Sequence, residues 1–212
     1  MFKFHDIPQN TDEWFLLRSG KLTSSNLGKV MANYGKAFGE PAKKYAVNIA
    51  IEQITGNPIS SDYTNAHMER GHEQEPIARD LYEQETFGVV TNGGFFGSDF
   101  VGCSPDGLEG DEGAIEIKSV ISSVHYANVK RQAVDPAYRW QCIGNLKFTG
   151  RNWLDFISYC ADYPIGKQLF IHRIKKEDLV DEFKMLDSRI AEFKKLVEEC
   201  KSNILESKYD NY

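Results

Sequence analysis

The stretch CSPDGLEGDEGAIEIKSV, residues 103–120, constrains this chain more than any other. Apolar and charged residues alternate through AIEIKS with the period of a strand, so Ile115 and Ile117 share one face while Glu116 and Lys118 share the other. A turn favoured by Pro105 and Gly107 comes first and sets Asp106 at the entrance of the hairpin partner, close enough to share a ligand with Glu116. Two carboxylates and an ammonium therefore converge. Hard divalent cations such as magnesium take oxygen ligands and keep several waters, so Asp106, Glu116 and one backbone carbonyl, that of Ile117, suit an open metal site. Lys118 beside it would hold or deprotonate an attacking water and offset charge developing at phosphorus. The same residues also admit a plainer reading: SPDG is a good turn, and a Glu and a Lys two apart on a strand often only face solvent.

Between Gly88 and Gly113, glycines are interleaved with Val89, Val90, Phe95, Phe96, Phe100 and Val101, which points to short antiparallel strands. Upstream, SSNLGKVMANYG reads as a helix capped by Ser24 and Ser25, and residues 41–55 form a second helix that opens on Pro41 and stops at GNP. In NAHMERGHEQEPIARDLYEQETFG, Pro76 either kinks a helix or restarts one. Downstream come helices over 123–132 and 137–148, then strands WLDFISYC and QLFIHRI. From Glu177 onward, Leu179, Val180, Phe183, Leu186, Ile190, Phe193, Leu196 and Val197 recur at helical spacing and predict one long closing helix. The expected fold is α/β, a central mixed β-sheet flanked by helices, with residues 1–212 as a single domain.

The composition excludes several classes. No apolar run approaches a membrane span and MFKFHDIPQNTDEW lacks the features of a secretory signal, so a cytoplasmic protein is expected. Cys103, Cys142, Cys160 and Cys200 show neither a CxxC pair nor zinc or iron-sulfur spacing, which predicts reduced thiols. A net charge of −6 weighs against a protein that coats nucleic acid but not against a nuclease, whose carboxylates add negative charge that bound cations reverse locally. Basic surface is then local, as at Lys29, Lys36, Lys43 and Lys44, or at Lys130 and Arg131. HEQEP begins like a zinc-protease motif but has Pro76 where the second histidine belongs. Neither a phosphate-binding ATP loop nor a dinucleotide fingerprint is present.

Proline-aspartate, a spacer and Glu-x-Lys resemble the signature of the PD-(D/E)xK nuclease superfamily. Taken in order, EWFLLRSGKLTSS (13–25), GHEQEPIARDLYE (71–83), GCSPDGL (102–108), AIEIKS (114–119) and YRWQCIGNL (138–146) look like the lambda exonuclease family, or YqaJ-like viral recombinases. The resemblance covers roughly residues 12–150 and implies a restriction-endonuclease-like core. It further implies a magnesium-dependent exonuclease, with two ions and manganese as a substitute. Such an enzyme degrades one strand of linear double-stranded DNA from a 5′-phosphorylated end and leaves a 3′ overhang for a single-strand annealing partner. A ring-shaped homotrimer and a phage-encoded or prophage-derived origin in a bacterial host are implied as well.

By match, Asp106 and Glu116 would be metal ligands, Lys118 the catalytic lysine, and Glu75 a further acid near the second ion. Arg18, Ser25, Ser104 and Gln141 match the residues that grip the terminal 5′-phosphate. Met68 falls where the family places an apolar wedge, and Lys36 is nearest for contact with the duplex ahead. Each gripping residue also has a structural reading: Ser25 as a helix cap, Ser104 as a turn residue, Arg18 paired with Asp12 or Glu13, and Gln141 on an exposed helix face. Two rivals stand beside the exonuclease, a structure-specific or restriction-like endonuclease of the same superfamily and a non-catalytic DNA-end-binding scaffold. Cas4-like nucleases would need a cysteine cluster that these spacings do not supply.

Overall fold

The computed structural model of the chain describes residues 2–59 and 66–207, without the side chains at 66–69 and 72. The elements run β1 (Lys3–His5), α1 (Asp12–Arg18), β2 (Leu22–Thr23), a 3-10 turn (Ser24–Asn26), α2 (Leu27–Met31), α3 (Glu40–Thr55) and α4 (Ala66–Thr86). Then follow β3 (Val90–Thr91), β4 (Phe95–Gly97), β5 (Val101–Cys103), β6 (Gly107–Glu109), β7 (Gly113–Ser119), α5 (Ser122–Arg131) and α6 (Arg139–Thr149). The chain continues through β8 (Trp153–Tyr159), β9 (Leu169–Lys175), a second 3-10 turn (Lys176–Leu179) and α7 (Val180–Glu206).

The central mixed sheet flanked by helices is present, and a second, smaller sheet accompanies it. A five-stranded sheet runs in the order β3-β6-β7-β8-β9, parallel only between β7 and β8, and a four-stranded sheet runs β1-β4-β5-β2. The β7–β8 pair is parallel because the connection between them is long and helical, α5 and α6, and returns to the same edge. The chain passes from the small sheet to the large one between β5 and β6, across the three residues Ser104, Pro105 and Asp106.

Helices cover both faces of the large sheet. On one face Leu154 and Phe156 of β8 join Cys142, Ile143 and Leu146 of α6, Ile49 of α3 and Phe193 of α7 in the main core. On the other, Ile115 and Ile117 pack with Ile157 and Tyr159 beneath Ala78 and Tyr82 of α4. The alternation in AIEIKS is thus the boundary between two cores, with Ala114 in the first. All four cysteines are free, with Cys103, Cys142 and Cys160 buried.

One local expectation is revised and one open alternative is decided. The helix expected from Ser24 is a 3-10 turn followed by the short α2, and neither Thr23 nor Asn26 at the two N-termini forms a side-chain cap. It ends early because the chain reverses through Asn33 and Gly35, both at positive φ. Pro76 lies inside one continuous α4, which tolerates the lost internal bond rather than restarting. Among the described residues no helix is long and apolar enough to cross a membrane.

Gly93 and Gly144 allow two approaches on which the site depends. A Cβ on Gly93 would lie 1.8 Å from the carbonyl oxygen of Pro105, which also accepts 2.8 Å from Gln9 Nε2. A Cβ on Gly144 would lie 2.3 Å from Leu27 Cδ1 and 2.8 Å from Ser24 Oγ, so α6 sits tight against α2 and the 3-10 turn before it. Because the obstacle at Gly93 is backbone, Gly93→Ala should destabilise the fold by roughly 1–3 kcal/mol. Urea unfolding should show a lower midpoint at unchanged slope; an unshifted midpoint would mean that the Pro105 segment gives way freely.

Candidate active site

Glu116 lies at the centre of β7 with no solvent exposure. A buried carboxylate needs donors on its oxygens, and three side chains provide them. Lys118 Nζ is 2.5 Å from Oε1, the Gln141 amide nitrogen donates to the same oxygen, and Asn145 Nδ2 donates to Oε2 at 2.6 Å. Gln141 and Asn145 are four apart on α6 and so present both amides to one face. Lys118 also lies 5.2 Å above the Tyr138 ring.

Asp106 reaches the same strand from the inter-sheet crossing. Its Oδ2 accepts the Ile117 N–H at 2.6 Å and its own N–H donates to Ile115 O at 3.0 Å, so the side chain stands in for a strand neighbour where β6 has not yet begun. A strand residue turns its N–H and C=O to the same edge, which puts the Ile117 carbonyl on the Asp106 side. Glu75 approaches from α4, held by Arg79 at 3.4 Å, and Arg79 also donates to the Asp106 carbonyl.

The acids resist ionisation. Burial, then the charge of Asp106, pushes Glu116 up to about 8, and the same two causes push Glu75 up to about 7. Burial raises Asp106 as well, against the pull of Lys118. Burial opposes the Lys118 ammonium, but Glu116 and Asp106 outweigh it and hold the proton more firmly than usual. Suppressed carboxylates around one point mark a place where a cation would be stabilised. The donors are oxygens only, Asp106, Glu116 and the Ile117 carbonyl, which fits a hard divalent ion. Among the described residues no group of three or more His, Cys, Asp or Glu side chains is placed to hold a metal ion by itself. A cation held by Asp106, Glu116 and the Ile117 carbonyl would keep open positions for water.

A second polar cluster flanks the crossing. Trp14 Nε1 and Arg18 both donate to Ser104 Oγ, at 2.9 and 3.1 Å, and Arg18 reaches Ser25 Oγ at 3.4 Å. The Arg18 guanidinium lies 3.9 Å over the Trp14 ring. With its oxygen accepting twice, the Ser104 hydroxyl keeps its proton to donate outward. Burial lowers Arg18 to about 10, which leaves it charged at neutral pH. Among the described residues its hydrogen bonds go to hydroxyls and not to a carboxylate, so a partly desolvated cation faces this cluster without a full counter-charge.

The structure thus brings Asp106, Glu116 and Lys118 together, with Glu75 beside them, and gathers Arg18, Ser25 and Ser104 into one cup. Arg18 pairs with neither Asp12 nor Glu13, and Ser25 caps no helix. Gln141 differs from its expected place: its amide is bonded to Glu116 rather than to the cup. Lys36 is exposed on the turn after Asn33, away from both clusters in sequence, and the Met68 side chain lies outside the described residues. Asn145, Trp14 and Arg79 were not anticipated, although each stands four residues from an expected residue on the same helix, Gln141, Arg18 and Glu75 respectively.

The chain as a whole is similar to known proteins. Residues 13–152 match the YqaJ-like viral recombinase domain. The alkaline exonuclease LHK-Exo of Laribacter hongkongensis is 33% identical, with a TM-score of 0.76 over 92% of this chain and 99% of that one. A second structure of LHK-Exo, in complex with dAMP, gives 34% identity and a TM-score of 0.77 over the same shares. A phage-related exonuclease from Haemophilus somnus 129PT shares the fold at 12% identity, with a TM-score of 0.66 over 87% of this chain and 96% of that one. No curated protein sequence matches. An acid-acid-lysine site beside an arginine-serine cup, on a chain that matches this family's domain from Glu13 to Asn152, makes the protein a member of the YqaJ-like viral recombinase family.

Proposed function

We propose that this protein is a divalent-metal-dependent DNA exonuclease. It removes mononucleotides from the 5′-phosphorylated end of linear duplex DNA and leaves a 3′ overhang for an annealing partner. One observation carries the reading: the cup and the acids share the crossing from β5 to β6. Ser104 and Asp106 are two residues apart, at most about 7 Å of extended chain. A strand whose terminal phosphate rests on Arg18, Ser25 and Ser104 would present a phosphodiester next to its end, not a distant one, to Asp106 and Glu116. The complex of LHK-Exo with dAMP, a deoxynucleoside monophosphate, is in keeping with such a product.

Magnesium, held by Asp106, Glu116 and the Ile117 carbonyl with Glu75 toward a second ion, would supply charge stabilisation at the phosphate and lower the pKa of a bound water. Lys118 orients that water and offsets the charge that gathers on phosphorus. Arg18 and the two serines hold the end in place, which fixes where the chain is cut. A ring-shaped trimer and a single-strand annealing partner belong to the same proposal.

Lys118→Ala should lower nucleotide release about 100-fold or more while DNA ends still bind. Arg18→Ala should act on the phosphate instead. The preference for 5′-phosphate over 5′-hydroxyl ends should fall by about 10- to 100-fold, because a charged donor pair is worth roughly 1.5–3 kcal/mol per bond. A preference that survives in Arg18→Ala would place the cup elsewhere.

Metal dependence should also follow pH. Glu116 and Glu75 ionise in the folded chain near 8 and 7, against an ordinary value of 4.5. The metal-free fold is therefore favoured below about pH 4.5 and loses that advantage as pH rises through 8, since the unfolded chain releases its protons first. A cation needs the ionised acids, so its affinity rises over the same window. The gain in Tm on adding magnesium should grow from about pH 5 to about pH 8; a gain independent of pH would contradict the assignment of these two acids.

A further inference from the structure

Glu116 has two differently held oxygens. Oε1 faces the site and carries both Lys118, whose side chain is 22% exposed, and the partly exposed Gln141. Oε2 faces the core and is held by Asn145, which like Glu116 has no solvent exposure. The Asn145 amide points its nitrogen toward Glu116, the orientation that suits the ionised, acceptor-only carboxylate a cation would bind. Its Oδ1 is buried and finds no donor among the described residues, although Cys142, Ile143 and Leu146 make the surroundings apolar. A polar side chain kept there at that cost points to a job, and among the described residues its only side-chain bond is to Glu116 Oε2. The tight approach at Gly144 fixes the rotation of α6 and hence the reach of this amide.

We propose that Asn145 is the positioning residue of the metal-binding carboxylate: its amide locks Glu116 Oε2 against the core so that Oε1 is the oxygen presented to the cation. This rests on the reading of Asp106 and Glu116 as cation ligands. The division of labour follows from exposure. Lys118 and Gln141 are at the open end and give way when a cation takes Oε1. Asn145, enclosed, keeps its bond throughout. Gln141, once released, is free to turn toward the cup formed by Arg18, Ser25 and Ser104.

Binding of Mn2+ to metal-free protein, followed by calorimetry, tests this in the wild type, Asn145→Leu and Asn145→Ser. The leucine keeps the branched shape and the number of heavy atoms, though it is bulkier, and removes the donor; the serine is small enough to fit and too short to reach. Both variants should bind Mn2+ about 10- to 100-fold more weakly, the loss that follows when a metal ligand is no longer oriented by its supporting bond. A folded variant that binds within twofold of wild type overturns the proposal and leaves Asn145 as packing. Wild-type protein that binds no Mn2+ overturns both the proposal and the site reading beneath it. An NMR titration of wild-type protein with Mg2+ needs no variant. The Asn145 side-chain amide protons should stay protected from exchange while those of Gln141 shift, and loss of Asn145 protection would equally overturn the proposal.

Discussion

A carboxylate in the middle of a buried strand is unstable unless both of its oxygens are satisfied, and Glu116 imposes that demand on everything around it. Lys118 answers it from the same strand, Gln141 and Asn145 from α6. The position of α6 is fixed in turn by the main core, where Cys142, Ile143 and Leu146 lie against Leu154 and Phe156. Hydrophobic packing therefore sets the distances on which the charged groups rely. What remains unsatisfied is charge: Asp106, Glu75 and Glu116 all sit above their ordinary pKa range because each is desolvated, and the charge of Asp106 raises Glu75 and Glu116 further. Stability has been given up locally at the place where a cation would restore it.

The crossing between the two sheets gives this acidic point its direction. Ser104 faces Trp14 and Arg18, while Asp106 faces Ile117, and Pro105 between them lies against Gly93 too closely for any side chain. On the proposed function, this short link would couple a terminal-phosphate site to a site that cleaves a neighbouring bond. An endonuclease has no need of such a coupling. It also explains how a chain of net charge −6 could hold DNA at one point, by a local cationic cup.

Much of this was legible in the sequence because it is local. Alternation in AIEIKS separates the face of Glu116 and Lys118 from that of Ile115 and Ile117, and the Pro-Asp turn places Asp106 beside them. The family motifs led to Arg18, Ser25, Ser104 and Glu75. The division into two sheets was not legible, since strands as short as β2 and β3 carry too few residues to show a period. Nor was the partner of Gln141, because a helical amide can face either a phosphate or a carboxylate and only the depth of α6 decides. Asn145, Trp14 and Arg79 were missed for a different reason: each lies one helical turn from an expected residue, a spacing that marks neighbours but not roles.

The most direct test is to digest linear duplex DNA labelled separately at its 5′ and 3′ ends, beside a covalently closed circle, with magnesium present. The account predicts early release of the 5′ label as a mononucleotide, retention of the 3′ label on a lengthening single strand, and an intact circle. Cutting of the circle at a comparable rate, or first loss of the 3′ label, would contradict it.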